Sequence, residues 1–359
     1  MSKVLTDPSY YTAIAGKIRE KLGVQTQYRP SQMAAAIASI DTSGGGGGGG
    51  DSSYEPWTGA DTEIDVVITD QTLTPLLGLY VNGTATIDWG DNTTPDTVTG
   101  TSSTGTAVFT PHTYAAAGKY KITISGGEIG LFGHTANSDA YGSMLFVGVT
   151  DTSSTVNHLY RTCVRAIRGG QNLHNLTNGS CRRLYRLKYA SFRYVVNSGN
   201  HIFSNCASLD YVAFWRTSVS NGTYVFQYCY SFSGDGADYP DDYNFTYIGG
   251  NYFSGCNSLT RYIVPDSVRT IQYSSFSNCY ALQYVKFPAG LTNIEGGAFS
   301  YCYNTVFDFS ACTSIPTIES GVFHNSGTYK IIVPADLYDD WIVATNWTSY
   351  ASRIEKATA

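Results

Sequence analysis

A repeated Phe-x-x-Cys motif constrains the fold of this chain more than any other feature of its sequence. The motif occurs five times, and its cysteines follow each other at steps of 23, 27, 23 and 23 residues. In the last three copies an isoleucine precedes the phenylalanine by five residues, and in three of the five copies a leucine follows the cysteine by three. A fixed period of about 20 to 50 residues is typical of solenoids, in which each repeat forms one turn of a coil. The cysteines are Cys206, Cys229, Cys256, Cys279 and Cys302.

The repeat that ends at Cys302 has a Leu-x-x-Val-x-Phe-Pro run ahead of Phe-x-x-Cys, and this order resembles the bacterial-surface (BspA-like) class of leucine-rich repeat. The resemblance extends from about residue 200 to 334. Upstream it weakens, and we assign Cys163 and Cys181 to the cysteine position although no phenylalanine precedes them by three residues. The resemblance implies a coil with a short strand per turn that serves mostly as a scaffold for binding.

The eight cysteines are predicted to be buried thiols rather than disulfides. Stacked strands lie about 4.8 Å apart, whereas a disulfide needs Cβ atoms about 3.8 Å apart with converging directions. Cysteine then acts as a small apolar residue, and in the last repeat Ser326 stands in its place. No metal site is expected, because the sequence contains no Cys-x-x-Cys and no histidine pair.

Residues 1–43 are predicted to form a helical anchor segment. Asp7 is a suitable N-cap with Pro8 at the first helical position. About forty residues cannot bury a core of their own, so we expect docking on a partner or on other copies. The segment resembles a leader at the head of phage tail and virion proteins, with a generic helical hairpin as the alternative. Residues 44–53 contain seven consecutive glycines and are predicted to be a flexible linker.

Residues 54–126 show strand-like alternation of apolar residues. The motif from Asp88 to Asp91 (Asp-Trp-Gly-Asp) precedes a His-Thr-Tyr motif from His112 to Tyr114. These motifs in this order resemble the PKD (polycystic-kidney-disease) repeat, which implies an immunoglobulin-like sandwich with the tryptophan and tyrosine as core and corner residues. The two aspartates are expected to cap a tight turn, with cation binding as the alternative. We expect a structural, hydrogen-bonded histidine.

The predicted fold class is mainly β: a leucine-rich-repeat solenoid preceded by an immunoglobulin-like (PKD-like) sandwich and a short N-terminal helical hairpin. The solenoid is placed at residues 127–334 with an N-terminal cap, and residues 335–359 are predicted to be a C-terminal cap with a short helix. Both ends need caps because a terminal turn exposes its apolar face. The long step of 27 comes from an insert at residues 233–242, whose four aspartates favour a solvated loop over a calcium site.

A basic stretch at residues 152–209 contains eight arginines and lysines and no acidic residue. Two of its arginines lie two residues after a cysteine and two lie five residues after, which predicts two columns of stacked arginines. The side chain five residues after the cysteine should point outward. In later repeats this position is occupied by tyrosine or arginine. The predicted binding face consists of Arg165, Arg168, Arg183, Arg186, Tyr211, Arg261 and Tyr284.

Tyrosine stacks on sugar rings, and arginine holds phosphate or carboxylate in a planar fork. This face is therefore predicted to contact a host cell-surface glycan or protein, with an acidic polymer such as teichoic acid as a suitable ligand. A contact between subunits is an equal alternative, and arginines that are only solvated are the third. With a net charge of −6, the whole chain is not expected to bind nucleic acid.

Taken together, the resemblances imply a phage virion structural protein, a tail fibre or similar, that recognises and adheres to the bacterial host surface. We expect attachment to virion proteins through the N-terminal segment, a homo-oligomer such as a trimer, and a location in the virion outside the cell after synthesis in the host cytoplasm. No cofactor, no membrane span and no enzymatic activity are expected, since no catalytic motif appears. The alternatives are a bacterial surface adhesin and a polysaccharide depolymerase, which needs two converging carboxylates.

Overall fold

Phenylalanine rings stack along the interior of the coil and set the distance between its turns. In this computed structural model, the rings of consecutive repeats from Phe203 to Phe299 lie 5.4, 5.6, 5.2 and 5.1 Å apart. All of these rings are fully buried. Each repeat of the sequence therefore forms one turn of the coil, with its phenylalanine ring stacked on the ring of the turn before. The chain forms a mainly β solenoid of stacked parallel strands.

The structure describes residues 57–133, 163–192, 194–195, 197–214, 222–233, 237–238 and 246–358. The predicted helical anchor at 1–43 and the glycine-rich linker at 44–53 lie outside these residues. Most of the insert at 233–242 and most of the predicted N-terminal solenoid cap also lie outside them. From Pro56 onward the chain forms one structural unit.

The strands in the described residues are short in the solenoid and long before it. They are β1 (Thr62–Ile68), β2 (Leu76–Asp88), β3 (Asp96–Pro111), β4 (Gly118–Leu131), β5 (Val164–Gly169), β6 (Leu173–Leu176), β7 (Tyr189–Phe192), β8 (Asn197–Ser198), β9 (Tyr211–Phe214), β10 (Ala237–Asp238), β11 (Tyr247–Ile248), β12 (Arg261–Ile263), β13 (Thr270–Ile271), β14 (Tyr284–Lys286), β15 (Asn293–Ile294), β16 (Val306–Asp308), β17 (Thr317–Ile318), β18 (Lys330–Val333) and β19 (Ile354–Lys356). One short α-helix, α1 (Tyr338–Trp341), and a 3₁₀ helix (Thr348–Arg353) follow β18 in the chain.

Each later turn of the solenoid contributes one strand to each of two parallel sheets. The strand order is β11-β13-β15-β17 in one sheet and β12-β14-β16-β18-β19 in the other. Along the second sheet, the middle residues Val285, Phe307 and Ile331 are in register and fully buried. Their neighbours on each strand face outward, because successive side chains of a strand point to opposite faces. The side chains on the outer face of this sheet are called the strand face below.

The cysteine of each repeat pairs with the turn before it. The Sγ atoms of Cys229 and Cys279 donate to the carbonyl oxygens of Phe203 and Phe253 at 3.1 and 3.2 Å. In the last repeat the hydroxyl of Ser326 donates to the corresponding phenylalanine carbonyl at 2.7 Å. All eight cysteines are free and buried, and burial raises the pKa of Cys279 to about 12. From Phe203 onward this position therefore carries a small side chain with a donor for the preceding phenylalanine carbonyl.

The assignment of Cys163 and Cys181 to this position is wrong. The amide of Cys181 donates to the next turn as the amide of Phe203 does, so Cys181 occupies the phenylalanine position. Cys163 lies immediately before β5, where its carbonyl oxygen accepts from the amide of Val67. The two cysteines are 18 residues apart, and without a phenylalanine to fix the phase this step does not match the repeat.

The four long strands β1 to β4 continue directly into the solenoid. β1 pairs antiparallel with β4 on one side and antiparallel with β5, the first described solenoid strand, on the other. The last residues of β4 pair in parallel with β6. The immunoglobulin-like sandwich implied by the PKD resemblance is not confirmed, since these strands belong to one ten-stranded sheet shared with the first turns. The boundary predicted between residues 126 and 127 falls inside β4.

At the other end, two tryptophans cover the last turn. Trp341, at the end of α1, and Trp347 are buried, with ring centroids 5.2 Å apart. Both rings pack against Phe309, at 5.6 and 5.4 Å, and the indole nitrogen of Trp347 donates to the carbonyl of Pro316 at 2.8 Å. Beyond them β19 adds a further parallel strand to β18. The apolar end of the coil is thus covered by aromatic rings and by a strand.

The donor role of the cysteine position can be tested by substitution at Cys279. Cys279→Ser keeps a donor for the carbonyl of Phe253, whereas Cys279→Ala leaves that buried carbonyl without its partner. We expect the serine variant to exceed the alanine variant in free energy of unfolding by about 1 kcal/mol. Urea unfolding followed by fluorescence measures the difference. Ser326→Ala is the matched control and should lose a similar amount, while an alanine variant as stable as the serine variant would show that the contact is only packing.

Removal of residues 1–126 should unfold the first turns of the solenoid, because it deletes β1 and most of β4. The edge of β5 would then carry unpaired backbone groups beside buried Ile167. Hydrogen exchange read by mass spectrometry should show lost protection at residues 164–176 and retained protection at 270–300. A chain that begins at residue 56 is the control and should keep both. Full protection of 164–176 after the deletion contradicts this account.

Candidate recognition surface

Arg168, one of the four arginines in the predicted columns, is neutralised within the chain. Its Nη1 atom lies 2.9 Å from Oδ2 of Asp65 and 3.8 Å from Oε2 of Glu63, both on β1. Its side chain is only 13% exposed, and its guanidinium also lies over the ring of Tyr189 at 6.0 Å. The acidic partners of this arginine are therefore on the strand that covers the first turn, rather than on a ligand or a second subunit.

The predicted columns of Arg165 with Arg183 and of Arg168 with Arg186 do not form. In the parallel register Arg168 lies beside Ser191 on β7, and the amide of Lys188 donates to the carbonyl of Arg165. Cys163 and Cys181 occupy different positions in their turns. Equal offsets from the two cysteines therefore do not bring the arginines into one column.

The other arginines of the basic stretch have separate environments. The Nη1 atom of Arg165 donates to the carbonyls of Cys163 and Val164 at 3.1 and 3.3 Å. Burial lowers the pKa of Arg165, and the nearby charge of Arg186 lowers it further. Arg183 lies in a turn with a φ of 63°, and Arg186 is exposed before β7.

Tyr211 lies on the face of β9 opposite the core residue Val212, as its offset predicts, but it is buried there. Its ring is 7% exposed and stacks on Tyr189 with centroids 5.7 Å apart and planes 2° apart. The two rings form a small cluster with Ala166 on β5. Tyr211 therefore packs across three neighbouring strands of the sheet, β5, β7 and β9, and presents little of its ring to a ligand.

Arg261 and Tyr284 are brought together on the strand face, as their shared offset predicts. They are register partners on β12 and β14, and the guanidinium of Arg261 lies 4.9 Å from the centre of the tyrosine ring. The hydroxyl of Tyr284 donates to Asp308 on the next strand. Burial raises the pKa of Tyr284, and the carboxylate of Asp308 raises it further. Cation, ring and carboxylate thus form one ladder across three strands.

The structure also exposes a set of tyrosines that the sequence reasoning missed. Tyr230, Tyr280 and Tyr303 each follow a repeat cysteine directly, and Tyr228 precedes one. The rings of Tyr280 and Tyr303 stack at 6.0 Å with planes 19° apart. The signal was present in the sequence as a recurring Cys-Tyr pair, but only the fold shows that these rings point away from the core. The surface around them is called the turn face.

The two aspartates of the Asp-Trp-Gly-Asp motif close a turn. Asp88 accepts from the amide of Gly90 at 2.8 Å, and Asp91 accepts from the amide and the hydroxyl of Thr93 at 3.2 and 2.6 Å. His112 lies 2.8 Å from the other oxygen of Asp91. Burial raises the pKa of Asp91, but the bonds from Thr93 and His112 outweigh it and hold the pKa below its usual value. The residues serve the turn, as the sequence predicts.

One further ionisable cluster joins β2, β3 and β4 to β6. The carboxylate of Glu128 accepts from Ser103 at 3.1 Å and from Asn82 at 3.3 Å, and lies 2.9 Å from Nδ1 of His174. The contact with His174 is the main reason that the pKa of Glu128 is lowered. Because the serine donates to the carboxylate instead of the histidine, this arrangement does not activate a nucleophile. Within the described ranges, no group of three or more His, Cys, Asp and Glu side chains is placed to hold a metal ion.

Comparison with known proteins agrees with the repeat architecture. Six copies of the family model described as "BspA type Leucine rich repeat region" match residues 157–233 and 239–339. A leucine-rich repeat protein of T. pallidum is similar over 52% of this chain and 81% of its own, with 20% identity and a TM-score of 0.34. A leucine-rich repeat protein from Bacteroides ovatus matches 48% of this chain and 59% of its own, with 17% identity and a TM-score of 0.31.

No curated protein matches the sequence significantly. None of the helices in the described part of the chain has the length and apolar character needed to cross a membrane. Six copies of one repeat, the stacked phenylalanines and the two parallel sheets agree with one another. Residues 157–233 and 239–339 are thus similar to the BspA type of leucine-rich repeat region.

Proposed function

We propose that this chain is a structural protein of a phage virion, a tail fibre or similar, that recognises and adheres to the surface of the bacterial host. The solenoid is the part that touches the cell. The N-terminal segment, residues 1–43, attaches the chain to other virion proteins, and the glycine-rich linker gives it reach. The chain acts as a homo-oligomer, such as a trimer, outside the cell.

The observation that supports adhesion is the repeated outward display of aromatic side chains on a fixed frame. Tyr280 and Tyr303 stack on the turn face, and Arg261 lies over Tyr284 on the strand face. Every turn is bonded to the next through backbone amides and carbonyls. Tyrosine gives a large contact area at a small cost in conformational entropy, which is why it is frequent in surfaces that recognise other molecules.

The phage assignment rests on sequence resemblance. The leader-like pattern in residues 1–43 supports attachment to a virion, and the Asp-Trp-Gly-Asp and His-Thr-Tyr motifs support a PKD-like spacer. The pairing of β1 with β5 supports a stiff arm, because spacer and solenoid share one sheet. We therefore propose that the chain moves at its glycine-rich linker rather than between the sheet and the solenoid.

The proposal predicts saturable binding of the labelled full-length chain to cells of at least one species in a panel of bacteria, displaced by an excess of unlabelled chain. A chain that begins at residue 54 should bind the same cells but lose its oligomeric state in analytical ultracentrifugation, because the anchor is absent. Flow cytometry measures the binding. Failure to bind any species in a saturable manner overturns the adhesion role.

An antibody against the chain separates the related possibilities. It should decorate the tails of phage particles in electron micrographs. Decoration of the bacterial envelope in uninfected cells indicates the surface adhesin instead. Release of reducing ends from host polysaccharide by the purified chain indicates the depolymerase.

A further inference from the structure

The turn face combines exposure with an absence of charge. Eight large hydrophobic side chains are exposed in the described residues, and four of them are the tyrosines next to repeat cysteines, with 38 to 49% of their surface in contact with solvent. The face comprises the outward side of residues 224–232, 251–260, 274–283, 297–306 and 320–329. These five segments contain no Asp, Glu, Lys or Arg.

The strand face has the opposite character. It carries Arg261, Lys286, Asp308 and Lys330, each on a different strand. Exposed residues of the turn face are tyrosine, asparagine, glutamine, serine, threonine, glycine and a single histidine. The aliphatic residues Val225, Leu282 and Val322 of these turns are fully buried. The turn face therefore offers rings, amides and hydroxyls without ions and without aliphatic anchors.

Local contacts hold the tyrosines in place. The ring of Tyr228 covers Gly255, where a Cβ atom would lie 2.5 Å from Cδ1 of the ring, so any larger residue would displace it. The hydroxyl of Tyr280 donates to Oδ1 of Asn278 at 3.0 Å, and Nδ2 of Asn325 donates to the hydroxyl of Tyr301 at 3.1 Å. These rings and amides are ordered before a ligand arrives, which lowers the entropy cost of binding.

This chemistry selects one class of ligand. Sugar rings offer C–H faces that pack on aromatic rings and hydroxyls that pair with amides, and neutral sugars need no counter-charge. An acidic polymer would lose water from its charges here without gaining ion pairs. A protein partner would usually insert an aliphatic or aromatic anchor into an apolar pocket, whereas here the rings project outward. The repeat at each turn suits a polymer, because successive sugars meet equivalent groups.

We propose that the turn face binds a neutral polysaccharide of the host cell surface, with Tyr280 and Tyr303 as its central contacts. This inference rests on the proposed function and names its ligand class and its site. The binding depends on ring contacts, so it should be insensitive to salt, unlike binding through the arginines of the basic stretch.

The experiment is affinity electrophoresis of the full chain through gels that contain a neutral polysaccharide (dextran, yeast mannan or galactomannan) or an acidic one (alginate or polygalacturonate). We expect retardation by a neutral polymer that is unchanged between low and high salt. The double variant Tyr280→Ser, Tyr303→Ser should lose about tenfold in affinity or more. Tyr280→Phe with Tyr303→Phe keeps the ring stack and should retain most of the binding. Lys286→Ser, at an exposed position of the strand face, is the matched control and should bind as the unmodified chain does.

Thermal unfolding checks that the variants remain folded. Retardation only by acidic polymers, equal retardation of the serine double variant, or no retardation in any neutral gel overturns the inference. Binding to cells by the serine double variant at full strength would also overturn it while leaving the adhesive function intact. Loss of cell binding by the unmodified chain would instead contradict the proposed function.

Discussion

The pairing of each turn's backbone with the next is the constraint on which the structure depends. A coil of short strands buries the phenylalanine amide and carbonyl where water cannot reach them, so both need partners inside the protein. The amide of Phe276 donates forward to Ala298, and its carbonyl accepts from the thiol of Cys302 in the following turn. In the repeats from Phe203 onward, the side chain at the cysteine position is small and carries the donor for this carbonyl. This requirement explains why Phe-x-x-Cys recurs, and why serine is acceptable where the series ends.

The same constraint applies at the two ends of the coil, where a terminal turn would leave backbone groups unpaired and apolar side chains exposed. The chain covers each end differently. At the start, β1 and β4 supply paired strands to β5 and β6. At the far end, Trp341 and Trp347 close over Phe309 and β19 continues the sheet. Strand pairing satisfies backbone groups at the first end, while at the second aromatic burial supplements it. The module before the solenoid is consequently a part of it, despite motifs that resemble a separate domain.

The sequence predicts the fold well wherever a structural feature depends on one residue type and on contacts with residues close in the chain. The solenoid after residue 200 follows from its period, and the turn at Asp88 and Asp91 follows from side chains that bond within two residues. The predicted alignment of the first turns with the repeat is wrong because Cys181 occupies the phenylalanine position. A cysteine is small enough for either the phenylalanine or the cysteine position. The pairing of β1 with β5 joins residues about a hundred apart, and no local pattern specifies it. The prediction of arginine columns depended on this assignment and is wrong for the same reason. Arg261 and Tyr284 lie in repeats whose cysteine position was assigned correctly, and they are register partners.

The distribution of charge follows from these joints. Within the basic stretch from 152 to 209, which has no acidic residue, Arg168 has its acidic partners on β1, Glu63 and Asp65. Ion pairing here serves the joint between sheet and solenoid, where both charges are largely shielded from solvent. In the later turns the strand face carries charged residues, whereas the turn face carries uncharged residues such as tyrosine and asparagine. Ion pairs at the start of the solenoid stabilise its junction with the preceding strands, whereas the uncharged turn face of the later repeats remains available to bind a ligand.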